Sequence, residues 1–231
     1  MSKIKAIETF YKGFRFRSRL EARWAVFFDA MGVNWLYEPE GFELPNGMYY
    51  LPDFYLPDLG IWVEVKGSKT KEDEEKIFNF DNADKKGFEF SYRDIIMVGD
   101  IPPEVDDIVA WVYDTYMYKN STYISGFIDF PYLPCVCPTC GKFGFEFDGR
   151  GARICRHDPL DDKGYSANHP KIKAAYRIAR QARFEHGETP VVESVNDTVP
   201  KAAIEWYNKE VLNFDHEYDW NDVMARWEKR K

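Results

Sequence analysis

The sequence predicts an α/β fold with a mixed sheet, and three observations carry that expectation. A helical apolar period opens at Ser18. Short aromatic and β-branched runs separated by turn residues fill about 35 to 67, and a polar helical segment from about Thr70 leads into the apolar run Ile95-Ile96-Met97-Val98.

In the first of these, Leu20, Trp24, Phe27, Phe28 and Met31 fall on one helical face, and Gly32 is placed to cap the C-terminus. In the second, Pro39, Gly41, Pro45-Asn46-Gly47 and Pro57-Asp58-Leu59-Gly60 punctuate the chain, which reads as an antiparallel meander. The polar helix is expected to run to about Lys86, and the strand at 95–98 to be buried and to end at Gly99. Residues 106–134 predict a further strand or two. Helical periodicity returns at 170–186, with Ala174, Ala175, Ile178, Ala179 and Ala182 as an apolar stripe and Lys171, Lys173, Arg177, Arg180 and Arg183 around it. The run GETPVVESVNDTVP reads as a linker, and 201–231 as one or two amphipathic helices carrying Trp206, Tyr207, Leu212, Trp220 and Trp227.

With 231 residues, 45% hydrophobic and 30% charged, the chain can bury a core for one main domain plus an appendage, so disorder throughout is excluded. Aromatic residues at 17% supply much of the packing. No run approaches the roughly 18 apolar residues of a membrane span, and MSKIKAIETFYKGFRFRS has no apolar secretion segment. The expected compartment is a reducing cytoplasm, where four cysteines read as metal ligands or thiols rather than disulfides.

The net charge of −8 argues against a nucleic-acid partner only at first sight. Residues 1–36 carry seven Lys/Arg against three acids, and 171–183 carry five and no acid. Two basic surfaces therefore sit on an acidic body. Screening within a Debye length of about 8 Å lets one face meet a polyanion regardless of the far charges.

The chemistry-bearing residues lie in the meander. In Ile61-Trp62-Val63-Glu64-Val65-Lys66-Gly67 the strand period of two puts Glu64 and Lys66 on one face, opposite Ile61, Val63 and Val65. A hairpin through the Pro57–Gly60 turn brings Asp53 opposite Glu64 or nearby. A lone Glu-x-Lys is ordinarily a solvated pair, and an Asp after Pro an ordinary turn residue. Two carboxylates and an ammonium on one face, after a helix carrying Glu21, instead match phosphodiester hydrolysis, which uses hard oxygen ligands for a divalent ion and a cation beside the attacking water.

Pro52-Asp53 and Glu64-Val65-Lys66, with Ser18-Arg19-Leu20-Glu21 before them, resemble the signature of the PD-(D/E)XK nuclease superfamily, over roughly residues 14–100. The stretch is also reminiscent of transposon endonuclease subunits. The resemblance implies a restriction-endonuclease-like αβββαβ core and a metal-dependent deoxyribonuclease of the endonuclease type, for phage or bacterial DNA processing. It implies Glu21, Asp53, Glu64 and Lys66 as catalytic residues. Glu21, Asp53, Glu64 and the Val65 carbonyl would hold Mg²⁺ or Mn²⁺, and Lys66 would position water and offset transition-state charge. Glu21 has a rival role, because Ser18-x-x-Glu21 is also a capping box. DNA is the expected partner, with RNA left open; Arg15, Arg17, Arg19, Lys69, Arg177, Arg180 and Arg183 are the candidate phosphate contacts, set against the plain reading of solvated faces.

Cys137-Pro138-Thr139-Cys140-Gly141 reads as a zinc knuckle. Cys155 and His157 complete a structural Zn²⁺ site, with Cys135 as the alternative fourth ligand. The domain reading is a nuclease core over 1–130, a zinc-binding module over 131–169, a basic helix over 170–187, and a linker with C-terminal helices over 188–231 that offers a surface for a second copy or a protein partner. The competing class is a catalytically silent nucleic-acid-binding or partner-recruiting protein on the same fold.

Overall fold

A computed structural model of the chain describes residues 7–68, 70–80, 95–108, 111, 124–125, 133–137, 140–147, 150–153, 167–185 and 188–211, with backbone alone at 124–125, 146–147, 150–153 and 211. The residues ahead of Ser18 contain a hairpin. Strands β1 (Thr9–Tyr11) and β2 (Phe14–Phe16) pair antiparallel about Lys12 and Gly13, whose φ values of 46° and 83° are the paired positive angles of a tight hairpin turn. The hairpin delivers Arg17 and Ser18 directly to helix α1 (Arg19–Met31).

At the start of α1 the Ser18 hydroxyl accepts a hydrogen bond from the Glu21 N–H, and at its end Gly32 sits at φ 69° with the Val33 N–H donating to the Phe28 carbonyl. The expected apolar face is present, but burial goes further round the helix. Ala22, Ala25, Val26 and Ala30 are also buried, because α1 is covered on several sides.

The expected run of strands forms, with two differences. Strands β3 (Leu36–Tyr37), β4 (Phe42–Glu43), β5 (Tyr49–Tyr50), β6 (Phe54–Leu56) and β7 (Ile61–Val65) follow in order, but among the described residues β4 and β5 pair only with each other, and β6 pairs with β3. The segment 49–56 is two strands rather than one. Pro52 has no N–H to give a ladder, and the break falls at Leu51-Pro52.

Helix α2 (Lys71–Phe80) follows β7 and leads to β8 (Ile95–Val98), which pairs parallel with β7. Residues 81–94, including the expected end of this helix, lie outside the described residues. The central sheet has the order β3-β6-β7-β8-β9, with β9 at Ile124–Ser125, and the β7–β8 pair makes it mixed. The chain is therefore a mixed α/β structure.

All five residues of β7 and all four of β8 are buried, because both faces of the sheet are covered. Phe54, Leu56, Ile61, Val63, Val65, Ile96 and Val98 face α1, while Tyr55, Trp62, Ile95 and Met97 pack with Ile77 and Phe80 of α2 and with Phe42 and Tyr50 of the β4–β5 ribbon. Fully burying each large side chain contributes roughly 1.5–3 kcal/mol. The Trp24 indole N–H also donates to the Gly99 carbonyl at 2.7 Å, pinning α1 to the end of β8.

Strands β10 (Leu133–Val136), β11 (Phe143–Phe147) and β12 (Arg150–Arg153) form a separate antiparallel sheet, whose Leu133, Val136, Phe143 and Phe145 join the same core as α1. Helix α3 (Pro170–Gln181) closes it, stacking Tyr176 on Phe27 with ring centroids 4.7 Å apart. Its buried side is Ile172, Ala175, Tyr176 and Ala179, so the expected alanine stripe is rotated; Ala174 and Ile178 are only partly buried. Tyr176, a large ring that outweighs several methyl groups, sets the rotation.

His169 is the N-cap of α3. Its Nδ1 accepts from the Lys171 N–H, its ring meets Tyr207 edge-on, and burial, helped by the Lys171 charge, lowers its pKa from the usual 6.5 to about 4. A depressed histidine leaves the folded state with fewer protons than the unfolded chain. Its contribution is complete above pH 6.5 and is lost as the pH falls toward 4, with a slope of at most about 1.4 kcal/mol per pH unit. Replacing His169 with Asn keeps a capping oxygen and removes the titration, so wild type should lose stability relative to His169→Asn as the pH falls from about 7 to about 4.5; a stability difference that does not change with pH would exclude the histidine as the source.

Beyond α3 residues 188–194 form no helix or strand, and the chain then makes α4 (Val195–Thr198), α5 (Lys201–Trp206) and a π-helical turn at Tyr207–Val211. Leu212, Trp220 and Trp227 lie outside the described residues. Among the described residues no helix is long and apolar enough to cross a membrane.

Candidate active site

The pairing of Phe54 with Val63 continues to Asp53 opposite Glu64, so the strand period and the Pro57–Gly60 turn place both carboxylates on the face that carries Tyr55 and Trp62. The turn is tied by Leu59 and Gly60 N–H donors to the Leu56 carbonyl, with Gly60 at φ 67°. Glu21, Asp53 and Glu64 are all buried charged residues. Lys66 follows at the end of β7, its N–H donating to the Val98 carbonyl and its Nζ lying 2.8 Å from Glu64 Oε1 and 3.6 Å from Asp73 Oδ1.

Each carboxylate is held by donors. Asp53 Oδ2 accepts from the Val65 N–H at 2.7 Å, and Oδ1 from the Arg17 guanidinium at 2.6 Å. Glu64 Oε2 accepts from the Tyr50 hydroxyl at 2.9 Å. Glu21 accepts from Ser18 Oγ and from the Arg17 N–H, and Tyr37 donates to its Oε2 at 2.6 Å. Glu21 thus braces the Ser18 cap and the residue before it, and it also stands close enough to Asp53 for its charge to be felt there.

The electrostatics show unmet negative charge. Burial pushes the Asp53 carboxyl well above its ordinary range, and the charges of Glu64 and Glu21 push the same way against the Val65 N–H and Arg17. Burial, with Glu64 beside it, raises the Tyr50 hydroxyl as well. Burial by itself would lower Lys66, but the charge and hydrogen bond of Glu64, with Asp53 and Asp73, more than offset it and leave the pKa raised, so Lys66 is an ammonium at neutral pH.

Four acids, Glu38, Asp53, Glu64 and Asp73, thus pair with the two cations Arg17 and Lys66, and the charge of Glu21 also acts on Arg17. Buried hard oxygens with excess negative charge fit a divalent cation in donor type and in charge. Asp53, Glu64 and the Val65 carbonyl are the residues that would hold it, with Glu21 adjoining. Among the described residues, no group of three or more His, Cys, Asp or Glu side chains is already gathered as a metal cage.

Several of these residues carried no sequence signal of their role. Tyr37, Glu38 and Tyr50 stand among many aromatic and acidic residues. Asp73 had one signal, since Thr70-x-x-Asp73 is a helix-start pattern, and Thr70 and Asp73 exchange hydrogen bonds before α2.

Most of the candidate phosphate contacts pair with acids, and Arg19 and Arg183, from the two basic segments, meet at Glu185. Arg17 turns inward to Asp53 and Glu38, Arg15 pairs with Glu8, and Arg19 lies 2.8 Å from Glu185. Arg177 lies 2.8 Å from Glu104, Arg180 donates to the Pro102 carbonyl, and Arg183 is exposed near Glu185. Lys69 is outside the described residues. Arg177 lines an open cavity of about 720 Å³ between α3 and the α4–α5 segment, which shares no residue with the acidic cluster.

In the cysteine segment, Gly141 is at φ 73° and its N–H donates to the Cys137 carbonyl, while the Cys137 N–H donates to the Lys142 carbonyl; Cys137 is buried and Cys140 exposed. Cys135 is buried on β10. Cys155 and His157 lie outside the described residues. Compared with family models, curated proteins and solved structures, the chain matches none of them.

Proposed function

We propose that this chain is a metal-dependent nuclease that hydrolyses DNA phosphodiester bonds, on a restriction-endonuclease-like core with a structural zinc turn at Cys137 and Cys140. The observation that carries the reading is the convergence of buried Asp53, Glu64 and Glu21 beside the Lys66 ammonium, at the end of a hairpin whose register sets Asp53 across from Glu64. A bound Mg²⁺ or Mn²⁺ would supply Lewis acidity and a water of lowered pKa. The chain's own residues supply the rest. Asp53 and Glu64 offer anionic oxygens from rigid strands, Tyr50 and the Val65 N–H fix their orientation, and Lys66 places positive charge beside the attacked phosphate as its negative charge grows.

Supercoiled plasmid and labelled duplex, single-stranded and branched DNA should be cut in Mg²⁺ or Mn²⁺ and left intact in chelator. Absence of cutting on every substrate would sink the reading. For the zinc turn, protein purified without added metal should carry about one Zn per chain by elemental analysis. A zinc-free preparation with an unchanged melting temperature would remove that part alone.

A further inference from the structure

Arg17 holds the one oxygen of Asp53 that an outside ligand would need, and the role this contact gives it rests on the nuclease reading. Asp53 Oδ2 is committed to the Val65 N–H inside the sheet, which leaves Oδ1 as the outward oxygen, and Oδ1 is 2.6 Å from Arg17 Nη2. Asp53 is almost fully buried, whereas the Arg17 side chain is 56% exposed. The guanidinium therefore reaches in from the surface like a stopper.

Its hold is limited. On the other side Arg17 Nε is 2.7 Å from Glu38 Oε1, yet that oxygen has no aligned hydrogen bond, so the contact is one of charge. Glu38 is brought there by a φ of 45°, rare for a residue with a side chain, while its N–H donates to the Asp53 carbonyl. The backbone of Arg17 is tied to Glu21, so only its side chain is at liberty to move. A guanidinium and a divalent cation compete for Oδ1, because like charges that close repel each other.

We infer that Arg17 is a tethered counter-ion, which occupies Asp53 Oδ1 until a divalent cation takes that oxygen and which then turns outward to a phosphate of the nucleic acid. Arg17 thereby couples loading of the site to grip on the substrate. Glu38 is its outer hold during the exchange.

The first test is calorimetric titration of Mn²⁺ into the full chain as wild type, Arg17→Ala, Arg17→Gln and Asp53→Asn, each checked for folding by its melting curve. With the competitor gone, Arg17→Ala and Arg17→Gln should bind Mn²⁺ about ten-fold tighter or more than wild type, and Asp53→Asn should lose binding. Equal or weaker binding in both Arg17 variants, with loss in Asp53→Asn, would overturn the counter-ion and leave the metal site standing. No binding by wild type and Arg17 variants would overturn both. The second test is duplex affinity with and without Ca²⁺, which supports binding without turnover. Wild type should gain affinity with Ca²⁺, and Arg17→Gln should lose most of the gain and about one unit of salt slope; an undiminished gain would overturn the phosphate contact.

Discussion

Replacing Lys66 with alanine is expected to slow DNA cleavage by about 10²–10³-fold, the usual effect of removing one group aimed at developing negative charge. The expectation comes from its position and its charge state. Lys66 is anchored through its N–H to Val98 and through Nζ to Glu64 and Asp73, and the surrounding acids keep it protonated. It is thus suited to offsetting charge, and poorly suited to taking a proton. Arginine is not an equivalent replacement, because a planar fork bonded to Glu64 would direct its charge differently from a compact ammonium. Single-turnover cleavage with matched duplex-binding curves makes the check. A reaction slowed by that factor at unchanged affinity supports the role, and undiminished cutting by Lys66→Ala moves the chemistry elsewhere.

The second large effect is expected at Asp53, where activity and stability should part. An Asn is the same shape, and its amide oxygen can still accept from the Val65 N–H. The change removes a charge that burial, Glu64 and Glu21 all disfavour, at the cost of the ion pair with Arg17, whose own side chain is half exposed although Asp53 is buried. Asp53→Asn should therefore melt at or above the wild-type temperature while losing at least about 10³-fold in cleavage, the pattern of a site that gives up stability for function. Thermal melting beside the plasmid assay decides it. A variant that melts far lower, yet still cuts, would make Asp53 a structural residue.

The parts of this site that depend on local chain geometry were readable in advance. The strand period put Glu64 and Lys66 together, the Pro-Asp-Leu-Gly turn brought Asp53 across, and the apolar period of α1 placed Glu21 at a helix start. What was not readable depends on partners distant in sequence. Arg17 counts as one more basic residue until the hairpin and β3 bring Asp53 and Glu38 to it, 36 and 21 positions away. Tyr50 is one of 15 tyrosines, and only the cross-strand fold gives its hydroxyl to Glu64. The departure of β4 and β5 from the sheet was hidden for a similar reason, because two-residue strands carry too little alternation to declare a neighbour.

The packing of α1 has a consequence for how the protein comes into being. Every acid of the cluster lies within the first 73 residues, yet the helix that carries Glu21 rests on Gly99, on Phe143 and above all on Tyr176. On the ribosome, the reactive groups emerge long before the residues that back them. A fragment ending near residue 100 would hold every acid of the cluster and leave the Phe27 ring and one edge of Trp24 facing water, so α1 is fully packed only once the chain has been made past Tyr176.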